Sequence, residues 1–201
     1  MAQPTQEPEY TERLKRPESN WKRFLPVQAP YRWNLRRLAP GFTLDLGCGI
    51  GRNLAHLDGT GAGVDHNQSS IAVARARGLE AFTPDEFRLS KFNRPATFDS
   101  MLASHLLEHM PEAEAISLIK EYRDLVKNGG RLILITPQEA GFKSDPTHVR
   151  FMGFQEIREV ARAAGFTHIV KEFSFPFARP FGRVFKHNEF VGVYRDAPWA
   201  R

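Results

Sequence analysis

Leu44-Asp45-Leu46-Gly47-Cys48-Gly49-Ile50-Gly51-Arg52 joins an apolar run beginning at Thr43 to three glycines spaced two apart and then to a helical pattern. An apolar run that ends in closely spaced glycines reads as a strand turning sharply into a helix. Glycines at 47, 49 and 51 let the backbone turn tightly and approach a ligand with no Cβ in the way. The helix that follows offers free N–H groups and the positive end of its dipole to a negative group. A glycine loop alone is a weak signal, so its neighbours must settle the reading.

Fourteen residues past Gly51, the run Gly61-Ala62-Gly63-Val64 ends in Asp65, with His66 beside it. This is a second strand with an acid at its tip, where doubly wound sheets hydrogen-bond ribose hydroxyls. Loop and acid together point to a nucleotide-type cofactor. The glycines follow G-x-G-x-G rather than the G-x-G-x-x-G of dinucleotide enzymes. Asp45 stands inside the first strand, and 201 residues leave little room for the second domain that most dehydrogenases carry. On these residues the chain resembles the class I S-adenosylmethionine-dependent methyltransferases, whose glycine motif matches Asp45 to Gly51 and whose ribose acid matches Asp65. The resemblance implies S-adenosylmethionine as cofactor, held by Asp45, Gly47, Cys48, Gly49, Gly51, Arg52, Asp65, His66, Ser104 and His105. Asp85 and Glu86, after the third strand, are placed either to meet the adenine amino group or to cap a turn. Arg32, Arg36 and Arg52 are candidates to pair with the donor's carboxylate.

Strands and helices alternate along the rest, which argues for a parallel sheet with right-handed crossovers. Expected strands are Thr43–Leu46, Ala62–Val64, Glu80–Thr83, Phe98–Ala103, Arg131–Thr136, Ile169–Phe175 and Glu189–Tyr194. Expected helices are Arg52–Leu57, one capped by Asn67 or Ser69 and running to Arg77, Glu112–Val126 ended by Asn128-Gly129-Gly130, and Gln155–Ala164. Seven strands in this order match the methyltransferase sheet: α/β, doubly wound, mostly parallel, with the last strand antiparallel. Two parts follow: a basic, aromatic N-terminal arm over residues 1–40, and a single methyltransferase domain over 41–201. In the arm, Trp21, Phe24, Leu25, Tyr31, Trp33, Leu35 and Leu38 interleave with arginines and lysines, and Pro26 and Pro30 divide it into two short segments. Such an arm is suited to cover a cofactor pocket, to pack on the sheet, or to do both.

The fourth strand leads into Ser104-His105-Leu106-Leu107-Glu108-His109, at the carboxyl edge where open α/β sheets bind ligands. On a helical turn His105, Glu108 and His109 would share a face. His148 lies in the loop after the fifth strand, which emerges from the same edge. Two imidazoles, a carboxylate and a distant histidine form a divalent-metal set of His105, Glu108, His109 and His148. The set resembles the Glu-x-x-Glu-His and later His of the small-RNA 3′-terminal 2′-O-methyltransferases, with His105 replacing the first Glu. An Mg or Mn ion is implied, and the added imidazole favours Mn, Co or Zn over Mg. Two other readings stay open: a metal-free base site, and simple packing. A hydroxyl is a poor nucleophile at neutral pH and needs a base or a metal, so Glu108, His109 and His148 as catalytic residues point to oxygen as acceptor. Farther along, His187-Asn188-Glu189 reads as a turn before the last strand or as a substrate contact, and Phe173, Phe175, Phe177, Phe181 and Phe185 as core plus a pocket wall.

Composition sets the outer limits. Lysine and arginine number 28 against 23 acids, a net charge of +5, and residues 1–40 hold eight of the bases but only four of the acids. That balance is too mild to demand nucleic acid. One cysteine excludes an internal disulfide and suits a reducing compartment. No apolar run approaches the roughly 20 residues needed to span a bilayer, and the N-terminus lacks a signal-peptide core, so a cytoplasmic location is expected. The expected activity is O-methylation of a small molecule, a sugar hydroxyl first, by loose resemblance to small bacterial sugar O-methyltransferases. Lipid-quinone methylases share the Leu-Glu-His element at 107–109, so phenols are a further acceptor class. The alternatives are an RNA ribose 2′-O-methyltransferase and a non-catalytic S-adenosylmethionine-binding partner protein. A homodimer is compatible with either.

Overall fold

The computed structural model describes residues 28–196. In chain order the elements are α1 (Ala29–Arg37), β1 (Thr43–Leu46), α2 (Arg52–His56), β2 (Gly61–Val64), α3 (Gln68–Ala76), β3 (Ala81–Phe82), α4 (Pro84–Arg88), β4 (Phe98–Ser104), α5 (Glu112–Tyr122), β5 (Val126–Pro137), α6 (Glu139–Lys143), α7 (Phe154–Ala163), β6 (His168–Phe175) and β7 (Glu189–Arg195). The strands form one seven-stranded sheet in the order β3-β2-β1-β4-β5-β7-β6. All neighbours are parallel except β7, which runs antiparallel to both β5 and β6. From β1 the chain winds outward to β2 and β3, then returns to β4 on the other side of β1. That reversal opens a crevice beyond the carboxyl ends of β1 and β4.

Period-two alternation divides the central strands between two cores. Leu132 and Leu134 of β5, with Met101 and Ala103 of β4, join Ile119 of α5 and Ile157 and Val160 of α7 on one face. Ile133, Ile135 and Leu102 point to the other face, against Leu35 and Leu38 of the α1 region and Leu57 after α2. Burial on both faces explains the unbroken apolar run of β5.

Several boundaries differ from expectation: β3 is shorter, over Ala81–Phe82, and β5 is longer, over Val126–Pro137. The helix read as Glu112–Val126 stops at Tyr122, and a 3₁₀ turn over Arg123–Leu125 leads straight into β5. β-branched Val126 pairs with Phe98, and Asn128-Gly129-Gly130 forms an irregularity within the strand instead of a helix stop. The arm is one helix where residues are described: Pro30 occupies its first turn, where the missing N–H costs nothing, so it starts α1 and does not break it. The earlier segment of the arm lies outside the described residues. Asn67 caps α3, its Oδ1 accepting from Ser70 N at 3.0 Å.

Candidate active site

The loop leaving β1 is held by backbone bonds to β2. Gly47 N donates to Val64 O at 2.8 Å, and Gly49 N donates to Asp65 Oδ2 at 2.8 Å. Asp65 Oδ1 accepts from Asn67 N at 2.8 Å, so this carboxylate ties the glycine loop to the start of α3. Gly47 has φ +67°, and a Cβ there would meet Leu106 Cδ1 at 2.7 Å. Only glycine allows the loop after β4 to close over it. Asp45 lies fully buried beneath the loop; desolvation lifts its carboxyl to about 7, the Asn53 bond opposes this and the charge of Asp65 adds to it. Cys48 is buried against Gly63, and burial pushes its thiol up, with Asp45 and Asp65 adding to the effect. Asp45 and Cys48 thus support the loop from below.

Above these strands lies a cavity of about 480 Å³. Gly47, Asp65, His66 and Pro84 line one side, and His105, Leu106, His109 and Met110 line the other. From α5, Leu118 and Tyr122 line it together with Glu114, Ser117 and Glu121. The sequence reading placed Gly47, Asp65, His66, His105 and His109 at one site, and all five meet here. Asp85 and Glu86 do not line it. They sit in the first turn of α4, where Glu86 completes a capping box with Thr83 and pairs with Arg75, and Asp85 pairs with Arg88. The Arg75 guanidinium and the Thr83 amide hold the Glu86 carboxyl down at about 2. Of the two readings open to these residues, the structure shows the capped turn, with Glu86 as its capping acid. Arg36 is likewise engaged, with Asp58 at 2.6 Å and the carbonyl of His56. Arg32 is exposed, and Arg52, also exposed, opens α2.

The histidine cluster takes a different shape from the expected helical face. His105 has φ +53° at the end of β4, and only Leu107–His109 form a 3₁₀ turn. This swings His105 away from His109. Its Nε2 meets Glu189 Oε1 at 2.8 Å and its Nδ1 stands 3.4 Å from Glu108 Oε1. Desolvation opposes protonation of the ring, but the carboxylates on its two sides outweigh it and raise His105 to about 10. Glu189 reaches this place because the antiparallel register pairs it with Pro137 at the carboxyl end of β5. The sequence flagged His187-Asn188-Glu189 without assigning Glu189 this partner, since nothing local encodes strand register.

Glu108, His109 and His148 do converge, each offering one ligand atom within 4.8 Å of the others. The clip is backbone: Glu108 O accepts from Val149 N at 2.9 Å and Arg150 N at 3.2 Å, drawing the loop after α6 onto the 3₁₀ turn. His109 Nδ1 lies 3.1 Å from Thr147 O, and His148 Nδ1 lies 2.8 Å from Phe142 O. A carbonyl can only accept, so each ring donates from Nδ1. Burial holds His109 below the usual imidazole range. Ser104 closes β4 half-buried, outside the cavity lining.

The arm helix sits apart from this cavity. Tyr31 Oη donates to His187 O at 2.9 Å, Tyr31 packs edge-on to Phe175, and Trp33 stacks on the same ring. None of the described arm residues lines the cavity, so α1 packs on the sheet, the second of the two roles open to it. Among the phenylalanines, Phe175 is core, whereas Phe177 and Phe181 are about half exposed.

Residues 44–134 match the family described as methyltransferase domain. Over 119 residues the chain is 31% identical to the ubiquinone biosynthesis O-methyltransferase of Xanthomonas euvesicatoria, covering 55% of this chain and 49% of that protein. The chain spans about half the length of the curated relatives it matches. Magnesium protoporphyrin IX methyltransferase from Synechocystis, solved with S-adenosylhomocysteine, superposes at TM-score 0.65 and 14% identity over 96% of both chains. A SAM dependent methyltransferase from Archaeoglobus fulgidus gives 0.62 at 18% identity, over 87% of this chain and 97% of that one. The sheet order and the superpositions define the class I S-adenosylmethionine-dependent methyltransferase fold. Within that fold, residues 44–134 are the part of the chain that is similar to the methyltransferase-domain family. Among the described residues no helix is long and apolar enough to cross a membrane.

Proposed function

We propose that the chain is an S-adenosylmethionine-dependent O-methyltransferase acting on a hydroxyl of a small molecule. One observation carries this: the glycine-loop side and the histidine side of the crevice line a single cavity, so a methyl donor and a base share one chamber. The residues fit the donor. Gly47 presents backbone with no side chain in the way, Asp65 is fixed by two backbone amides at the tip of β2, and His66 stands next to it. When bound, S-adenosylmethionine supplies a sulfonium methyl that passes to the acceptor oxygen by in-line displacement, with the sulfide as leaving group.

The chain's own residues do the rest. Gly47, Gly49, Asp65 and His66 hold the donor, with Asp45 and Cys48 supporting the loop. His105, locked between Glu108 and Glu189, forms wall and orients the acceptor side. His109 lines the cavity, and the Glu108–His109–His148 cluster draws off the hydroxyl proton.

The acceptor class is a saccharide hydroxyl or a phenol. The phenol reading is favoured by the quinone-pathway relatives and by Leu118 and Tyr122 in the cavity lining. Methyl transfer assayed against a panel of sugars, phenols and RNA tests the proposal. Turnover of sugar or phenol supports it. Turnover of RNA alone would assign a ribose methyltransferase instead, and tight S-adenosylhomocysteine binding with no acceptor turned over would assign a non-catalytic binding protein.

A further inference from the structure

The surface that α1 shares with β6 and the loop after it is both strongly basic and openly apolar, and the cavity accounts for neither property. Residues 29–37 and 168–188 together hold seven lysines and arginines against one acid, Glu172. That acid is occupied by Arg158 and by the hydroxyl of Tyr194. Arg36 and Arg179 are occupied by Asp58 and Glu139. Arg37, Lys171, Arg183 and Lys186 enter no ion pair among the described residues. Arg37 lies over the rings of Trp33 and Phe173, at 4.5 and 4.7 Å, and Lys171 lies over Phe173 at 4.9 Å.

Apolar side chains stand out among these cations. Trp33 is 57% exposed, Phe181 53% and Val184 81%, so water meets a patch and not a stray residue. Phe177 packs on Phe181 at 5.6 Å and on Phe185 at 5.2 Å between centroids. Trp33 stacks on Phe175, two residues before Phe177, and the bond from Tyr31 Oη to His187 O joins α1 to the far end of the loop. The loop is held in place from beneath. Buried Asn188 accepts from Phe177 N at 2.9 Å and donates to Gln138 Oε1 at 3.0 Å. Gly182 lies so close to Gln138 that a Cβ would stand 1.7 Å from Oε1, and Arg179 pairs with Glu139. Buried polar anchors of this kind fix the base of the loop while Phe181, Arg183, Val184 and Lys186 remain at its surface.

We propose that this surface docks on an anionic lipid bilayer. Phe177, Phe181 and Val184 enter the boundary between headgroups and acyl chains, and Arg37, Lys171, Arg183 and Lys186 meet the lipid phosphates. Such a surface lies on a membrane without spanning it, which needs no long apolar helix, and none occurs among the described residues. Rings and long basic side chains at headgroup level are what the interface of a bilayer favours. Charge alone would suit nucleic acid equally. Bases, however, stack on flat rings, and Val184, the most exposed apolar side chain of the patch, has none. The loop runs directly into Glu189, which bonds His105 in the cavity wall, so patch and cavity belong to one edge of the sheet. The docking does not depend on which acceptor is methylated.

Flotation of the full-length protein with vesicles tests this, using phosphatidylcholine alone beside phosphatidylcholine mixed with phosphatidylglycerol. Wild type is expected to bind the anionic vesicles at least tenfold more tightly than the neutral ones, and less tightly as salt rises. Two double variants separate the contributions: Phe181→Ser with Val184→Ser, and Arg183→Gln with Lys186→Gln. Each is expected to weaken binding to anionic vesicles by about tenfold or more. Thermal midpoint and S-adenosylhomocysteine affinity should stay at wild-type values, since none of the four side chains lines the cavity. Wild type that ignores anionic vesicles at low salt overturns the proposal. Equal binding by the folded apolar variant also overturns it, leaving plain adsorption of a basic protein. Tighter binding to RNA than to vesicles, lost in the same variants, would give the surface to nucleic acid. A dimer in sedimentation that the apolar variant dissociates would give it to a second copy of the chain.

Discussion

Asn53 Nδ2 donates to Asp45 Oδ1 at 3.2 Å, while Asp45 Oδ2 stays buried with no hydrogen-bond partner among the described residues. One neutral amide cannot repay the desolvation of a carboxylate, so the group holds its proton up to about pH 7. A carboxyl whose folded value lies above its unfolded value binds a proton in the folded chain where the unfolded chain has lost it. Its contribution to stability is therefore present below about pH 4 and disappears as pH rises through about 7. Asp45→Asn stays neutral throughout. Denaturant unfolding should show the two proteins similar at about pH 3, the variant more stable at pH 8, and the difference growing between about pH 4 and 7. The gain should reach a few kcal/mol, since each tenfold change in proton affinity is worth about 1.4 kcal/mol. Parallel pH curves would mean that Asp45 ionises freely.

The donor site makes a second prediction. Gly49 has φ +50°, where a β-branched residue is strained, and its N–H bonds Asp65. Gly49→Val should both distort the loop and fill the approach to the ligand. Asp65→Ala should remove a charge-assisted bond to a ribose hydroxyl, worth about 1.5–3 kcal/mol. Calorimetry with S-adenosylhomocysteine should show each variant weakened by more than tenfold. Unchanged affinity in both would remove the cofactor assignment.

Helix α1 predicts a stability effect and no direct effect on the cofactor. Leu35 is 3% exposed and packs with Leu38, Leu57 and Phe175 on the second face of the sheet. Leu35→Ala should cost about 2–5 kcal/mol in unfolding free energy, the range for emptied core sites. Tyr31→Phe loses the bond to His187 O and should cost about 1 kcal/mol. S-adenosylhomocysteine affinity of the folded variants should stay near wild type. A selective loss of affinity in Tyr31→Phe would restore a covering role to this helix.

The fold was legible because its signals are local: an apolar run before Gly47, an acid at Asp65, an alternation of strands and helices. The site was legible in part for the same reason. Gly47, Asp65, His66, His105 and His109 share a crevice because topology places the strand ends together. What failed needed information that short stretches do not hold. The helical face of His105, Glu108 and His109 assumed a regular turn, yet the positive φ of His105 breaks it. The partner of His105 depends on the register of β7, fixed by pairings more than fifty residues distant. Glu86 misled because an acid after a strand serves equally as ligand contact or as helix cap, and only the position of Thr83 and Arg75 decides.

Two of the three cavity histidines, His105 and His109, should separate in kinetics. His105 is held by carboxylates at both nitrogens and so has no lone pair for a substrate proton, but it shapes the wall. His105→Ala should raise KM with kcat lowered less, because it removes positioning shared by ground and transition states. His109 lines the same cavity, and under the proposed function its removal strikes at the step in which the hydroxyl loses its proton. His109→Ala should lower kcat by about 10²–10⁴-fold, the range for loss of a proton-transfer group, with S-adenosylhomocysteine affinity nearly unchanged. Glu189→Gln serves as the control, since it keeps a hydrogen bond to His105 and should resemble wild type more closely than Glu189→Ala. If His105→Ala lost more kcat than His109→Ala, the proton would leave through His105, and the assignment of the two rings would have to be exchanged.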